Sequence, residues 1–442
     1  MYQRPPPGGT ASASPVTEPP RYQFSSTARL QISPYDEPMP EAGEPPEITG
    51  AQLRNARESA GLSLSELAAR LPYSKAALGH YETGQRPAGP EVISWYEQVC
   101  GRFTDPVTTI SVLGRADVDR RSFLWNIAYS AALSATALAP LPDIARLVTV
   151  TDSSRVGMAE VHAVRGVTDA FLRLNEVRGG KTGRSAVAEF LATDVAALLR
   201  ARFADDQVRR HLFSAAAELA YHAGFEAHDA GRDGLAQRYY LSALRLAQES
   251  GEPGHDGFVF RILALHSNDI GASQHSVALA ERAVASARAH LSPESTALFQ
   301  VALARSHAET GDKAAALAVL RRTEQWITPE RGSELPRWAA IFCPNQATVI
   351  HQTAKTFLAV GDLPAGERYT HMAATVWDPV THTRVQSLTL AETGLIRWRM
   401  GQHEDAARLW RTALPVLESV NSDRATKMLA SIRRAAPEFA GA

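Results

Sequence analysis

Five glycines, Gly231, Gly271, Gly311, Gly361 and Gly401, recur at intervals of 40, 40, 50 and 40 residues along the C-terminal half of the chain. Each follows one amphipathic segment and precedes another, so each marks a turn between two helices. Five positions after the glycine stands a small residue: Ala236, Ser276, Ala316 and Ala406, with Gly366 in the remaining copy. Nine positions on come Tyr240, Ala280, Leu320 and Trp410, and twelve positions on Ala243, Ala283, Ala373 and Ala413. Small residues at such places let antiparallel helices approach closely, while larger ones fill the groove between neighbouring pairs. A fixed period of this kind predicts stacked helical hairpins whose units share one continuous core.

Composition agrees with that reading. The chain is rich in Ala and Leu and only 7% aromatic, and Ala and Leu keep most of their rotamer freedom in a helix. The sharpest copy of the repeat, Ala391 to Leu417, places Gly401 at the turn and Ala406, Trp410 and Ala413 at packing positions. This copy resembles a tetratricopeptide repeat, although the period exceeds that family's usual spacing and the copies at Gly271 and Gly361 are degenerate. The predicted fold is therefore all-α.

At 442 residues the chain is too long for one compact core. Residues 1–47 hold eleven prolines, three Arg and six acids, a composition that cannot offset its ordering entropy and predicts a disordered tail. Residues 48–103 read as a small helical domain. Residues 104–154 read as a linker, with an apolar helix at 123–141. Residues 155–437 read as the repeat domain. Lys plus Arg number 46 against 47 Asp plus Glu, so any case for nucleic-acid binding must come from a local site. Two cysteines, Cys100 and Cys343, fit a reducing compartment and inert, partly buried thiols. With no apolar run near the N-terminus to serve as a signal peptide, a cytoplasmic location is expected.

Within 48–103 the turn chemistry is explicit. Thr49 and Gln52 resemble a capping box before a first helix that Ala60-Gly61 ends. Ser63-Leu64-Ser65-Glu66 is a cleaner capping box for a second helix, which buries Leu67, Ala68 and Leu71. Pro72-Tyr73 breaks the chain, and Ser74 caps a third helix over Lys75 to Glu82 with Ala77, Leu78 and Tyr81 turned inward. Thr83-Gly84 closes it, and Pro90 to Cys100 supplies a fourth helix with Val92, Ile93, Tyr96 and Val99 inside.

Two short helices joined by a tight turn, the second with small and polar residues on its outer face, form a helix-turn-helix. The ordered pieces Leu62-Ser63, Glu66-Leu67-Ala68, Ser74-Lys75, Leu78, Tyr81-Glu82 and Gly84-Gln85-Arg86-Pro87 resemble the Xre/Cro-type helix-turn-helix family over about 50 residues. That resemblance implies a transcriptional regulator bound to double-stranded DNA. Lys75, Ala76, Gly79 and His80 stand where the family faces the major groove, and Ser63, Ser74 and Arg86 where it holds backbone phosphates. Leu64 replaces a Gln common in the family, and Ala76 and Gly79 offer few hydrogen bonds, so DNA shape would carry part of the specificity. Local charges sum to zero, which predicts weak monomeric affinity and a homodimer on two half-sites. The concave face of the repeats is expected to take a peptide or protein ligand. A rival reading makes the repeats a scaffold with little specific DNA binding.

Other motifs read as decoys. Arg120-Arg121-Ser122-Phe123-Leu124 resembles a twin-arginine export signal, but it lies far from the N-terminus and precedes a stretch broken by Asn126. The same element, and the stretch from Phe171 to Leu191, resemble segments of actinobacterial helix-turn-helix regulators with repeat domains. Gly180-Lys181-Thr182 matches the end of a phosphate-binding loop, but Asn175 occupies the position of its first glycine. An inter-helix loop is expected there. His222 with His228, and His371 with His382, lack i, i+4 spacing and a supporting acid–His cluster, so no metal is expected. Enzyme motifs are absent from the sequence, and neither a cofactor nor catalysis is expected.

Overall fold

The computed structural model describes residues 50–60, 62–88, 90–100, 105–117, 155–287, 291–323, 335–341 and 345–437. The proline-rich tail, the 123–141 segment, Thr49 and Cys343 lie outside them. The fold is all-α, and the described residues contain a single isolated bridge, between Val156 and Phe203.

Four helices make the N-terminal domain: α1 (Gly50–Ser59), α2 (Leu64–Ala68), α3 (Lys75–Glu82) and α4 (Pro90–Cys100). They close over one small core of Leu53, Leu67, Leu78, Tyr81, Val92 and Tyr96. Inside it lies a charge pair. Arg57 donates through Nε and Nη2 to the two oxygens of Glu82, both at 2.7 Å, and Tyr96 donates to the same carboxylate at 3.1 Å. A paired geometry of this kind satisfies both partners at once, which is what makes a buried charge tolerable.

The segment expected to be a linker begins instead with a helix, α5 (Pro106–Asp117). Val107, Ile110 and Leu113 of α5 are buried in the core of the repeat array. Its C-terminal Asp117 is buried between Arg184 and Arg232 and accepts from the Tyr239 hydroxyl at 3.0 Å. The i, i+3, i+6 spacing of Val107, Ile110 and Leu113 is what packs.

The array opens with α6 (Met158–Arg178) and α7 (Gly180–Phe190), which runs through a π turn into α8 (Ala196–Arg200). Hairpins follow: α9 (Asp206–Asp229) with α10 (Asp233–Ser250), α11 (His255–Asp269) with α12 (Ser276–Ser286), and α13 (Pro293–Glu309) with α14 (Lys313–Thr323). A short α15 (Arg337–Ala340) precedes α16 (Asn345–Val360) with α17 (Leu363–Val376), then α18 (Thr383–Arg399) with α19 (His403–Ser419), and finally α20 (Asp423–Ala435).

Each of the five periodic glycines sits in its hairpin turn with φ between 75° and 93°, a conformation other residues adopt only with strain. The small and bulky positions predicted from the period are buried throughout. The last hairpin explains why. Trp410 is fully buried and donates to the Ala391 carbonyl at 3.1 Å, and a Cβ on Gly394 would clash with the edge of its indole ring.

Two features go beyond a simple stack. The longer interval between Gly311 and Gly361 contains α15, which lies against the first helices of successive hairpins. Its Trp338 stacks on His255 of α11 and Phe299 of α13. Its Arg337 reaches Glu218 of α9 at 3.0 Å and Asp169 of α6 at 2.6 Å. The end of the array also meets its beginning. Arg384 of α18, fully buried, binds Asp229 at 2.7 Å and Glu176 at 3.2 Å, and donates to Asn175. Ser422 donates to Asp229 at 2.8 Å, and Asn421 N–H donates to the Arg178 carbonyl at 2.9 Å.

Candidate nucleic-acid interface

The helix-turn-helix is built by its caps. Ser63 accepts from the Glu66 N–H at 3.2 Å while Glu66 accepts from the Ser63 N–H at 2.8 Å, closing the predicted capping box. The Ser63 hydrogen bonds hold the Glu66 carboxyl below the usual range. Ser74 accepts from Ala77 N–H at 3.2 Å and so fixes the start of α3. These bonds satisfy donors that a helix start otherwise leaves open.

One face of α3 is committed to the domain interior. Leu78, Tyr81 and Glu82 are buried, and Tyr73 packs edge-on against Tyr81 at 5.9 Å. The other face is left to solvent. Ser74, Lys75, Ala76 and His80 are exposed, and Gly79 is half-buried. A Cβ on Gly79 would make only ordinary contact with Leu64, at 3.7 Å. Ser63 at the start of α2 and Arg86 after α3 are exposed as well. Arg86 lies over the Tyr81 ring at 5.3 Å, and its N–H donates to the His80 carbonyl at 3.1 Å. Gly84, with φ of 72°, makes the reversal that returns Arg86 toward α3. All seven residues singled out in the sequence therefore flank or line the outer side of α2 and α3. An exposed leading turn is the geometry by which a helix presents side chains to base edges in a major groove.

Charges counted equally in the sequence prove to differ. Arg57 and Glu82 neutralise each other inside the core, 25 residues apart in sequence. Glu97 of α4 is engaged by Arg245 of α10 at 3.2 Å. Short-range spacing carried no signal for either pair, because each joins different helices. Cys100 is half-buried, and burial pushes its thiol up.

The remaining sequence motifs fall elsewhere. Gly180-Lys181-Thr182 is not an inter-helix loop: only Gly179 separates α6 from α7. The amides a phosphate would need are engaged within the fold. Gly180 N–H donates to Asp229 at 2.9 Å and Lys181 N–H to the Asn421 carbonyl at 3.3 Å. His222 is fully buried with Nε2 3.3 Å from Glu226, and neither ring nitrogen makes a hydrogen bond. His382 lies against Trp377. The expectation that no histidine joins an acid–His cluster is overturned at His228, which meets Asp233 and His266. His266 comes from the next hairpin, so spacing within one helix could not reveal the group.

Residues 49–102 match the family model described as a helix-turn-helix domain, which agrees with the geometry of α2 and α3. This region is a helix-turn-helix domain, the class of fold that binds DNA in transcriptional regulators. No curated protein matches the chain. Among the described residues no helix is long and apolar enough to cross a membrane.

Proposed function

We propose that the chain is a sequence-specific transcriptional regulator of the Xre/Cro type, active in the cytoplasm and resembling actinobacterial members. In this reading α3 enters a major groove of double-stranded DNA. Lys75, Ala76, Gly79 and His80 face the bases, and Ser63, Ser74 and Arg86 hold phosphates. The observation that carries it is the division of α3 into a buried inner face and an exposed leading turn capped by Ser74. Withdrawal of Glu82 and Glu97 into ion pairs lessens the acidic charge facing the duplex. With so few cations left, a homodimer reading two half-sites supplies the affinity.

The tetratricopeptide-like hairpins behind it receive a peptide or protein partner. Their first helices share a polar ladder: Asp269 to Arg305 at 2.6 Å, Arg305 to Gln352 at 3.2 Å, and Glu392 to His351 at 3.3 Å. These groups pair with one another, and an extended chain would bind by exchanging some of those partners. α15 already lies along part of the same helices, so a partner addresses the remainder. Binding biases the arrangement of the array, and α5 carries that bias toward the DNA-reading domain. The reading includes no catalytic step and no cofactor.

Footprinting on genomic fragments tests it. Saturable, sequence-dependent protection that weakens in Lys75→Ala and Arg86→Ala supports the reading. Salt-sensitive binding without sequence preference would favour a scaffold that recruits proteins through its repeats, a reading to which the domain's net neutrality lends weight.

A further inference from the structure

The cluster at His228 has the composition and the setting of a metal site. His228 stands in the last turn of α9, Asp233 opens α10 across the Gly231 turn, and His266 lies in the last turn of α11. His228 Nδ1 is 2.6 Å and His266 Nε2 3.4 Å from the same Asp233 oxygen. One donor atom from each residue lies within 4.8 Å of the others. Ligands at roughly 2.0–2.2 Å from a tetrahedral zinc ion sit about 3.3–3.6 Å from one another. Small side-chain adjustments therefore suffice to bring the three donors onto one ion.

Independent observations point the same way. His266 is 5% exposed, and its Nε2 is buried with no hydrogen-bond partner although it faces Asp233. A buried nitrogen in that condition is costly and calls for a physical reason. The ring is held in place by Tyr240 and His228, each edge-on at 5.3 and 5.1 Å.

Behind His228 stands a second carboxylate, with Asp269 Oδ2 3.9 Å from His228 Nε2. Arg305 holds that carboxylate in place from the other side at 2.6 Å. A carboxylate on the far side of an imidazole is the usual orienting partner of a metal-bound histidine.

We propose that His228, Asp233 and His266 bind one zinc-class divalent transition-metal ion, with Asp269 orienting His228 and a fourth coordination position open beside the part-exposed Asp233. Two imidazoles select this class over calcium or magnesium, which take oxygen ligands. The ion ties the Gly231 turn to the neighbouring hairpin. The inference is independent of the DNA-binding reading.

The test uses the full chain, stripped with a chelator, dialysed and titrated with zinc by calorimetry and with cobalt by visible absorption. One equivalent is expected, with the d–d bands of a low-coordinate cobalt site and a raised melting temperature. His228→Ala and His266→Ala should abolish the cobalt bands. Asp269→Asn should weaken binding about 10–100-fold. His275→Ala, an exposed histidine on the neighbouring hairpin, should bind as the parent does. Should His266→Ala fail to fold, Asp233→Asn, which keeps the shape and removes the charge, carries the test. Absence of binding by the parent chain with zinc in tenfold excess, or unchanged stoichiometry and affinity in Asp233→Asn and His228→Ala, overturns the proposal.

Discussion

The helix-turn-helix domain and the hairpin array use buried charge in opposite ways. In the domain the pair Arg57 and Glu82 ties α1 to the end of α3 and keeps both charges off the outer face. In the array, Arg384, Asp229, Asn175 and Glu176 join segments as far apart as 209 residues. The first arrangement is local scaffolding for an exposed face. The second joins the beginning of the array to its end. A small domain with one core can devote its surface to recognition, whereas the array commits polar groups to holding itself together.

The largest expected effect tests this contrast directly. Arg384→Ala leaves Asp229 buried without its main partner and should destabilise the array by about 3–5 kcal/mol, read by denaturant unfolding. Arg57→Ala should cost the helix-turn-helix domain a similar amount through Glu82, but calorimetry should then show the array transition unmoved. Equal loss in both regions from either change would break the comparison.

Binding comes next. If α3 reads bases, Lys75→Ala should weaken operator binding by about 1–3 kcal/mol and relax preference at one base pair. Arg86→Ala should weaken all sequences alike and reduce the salt slope by about one. Gel shifts across a salt series separate these outcomes. Ser74→Ala removes the cap of α3 and should lower domain stability by about 1 kcal/mol, with thermal melting as the readout.

A separate effect concerns pH. Burial, then the nearby charge of Arg165, lowers the His255 pKa to about 3. Below about pH 6.5, an ordinary imidazole in the unfolded chain takes up a proton that the folded chain does not. The His255 contribution is therefore complete above that pH and declines as pH falls toward 3. Melting temperatures measured from pH 7 to 5 should fall, and less steeply in His255→Gln, which does not titrate.

Much of this architecture was written in periodic positions. The glycine turns and the small and bulky residues after them are local consequences of helix crossing, so each could be read within a dozen residues. The caps at Ser63 and Ser74 were legible for the same reason: the bond partner lies three residues away. Residues joined across the fold were not. Asp117, Arg184 and Tyr239 meet because α5 packs on the array, and nothing in the spacing of three separate segments announces that. Trp338, by which α15 stacks on His255 and Phe299, likewise lies far in sequence from both partners. The group at His228 was missed because a repeat period sets residues 38 apart side by side, and motif rules count only along one helix.

The contact between α18, α20 and the opening helices changes how such a molecule should come apart. In an open stack each unit feels only its neighbours, so the ends fray first and stability accumulates unit by unit. Here the terminal units clasp each other through Arg384 and Ser422, which removes the free ends where fraying would begin. Amide hydrogen exchange in α18 should then be as slow as in the middle of the array. Removing α20 should accelerate exchange in α6, at the opposite end of the sequence.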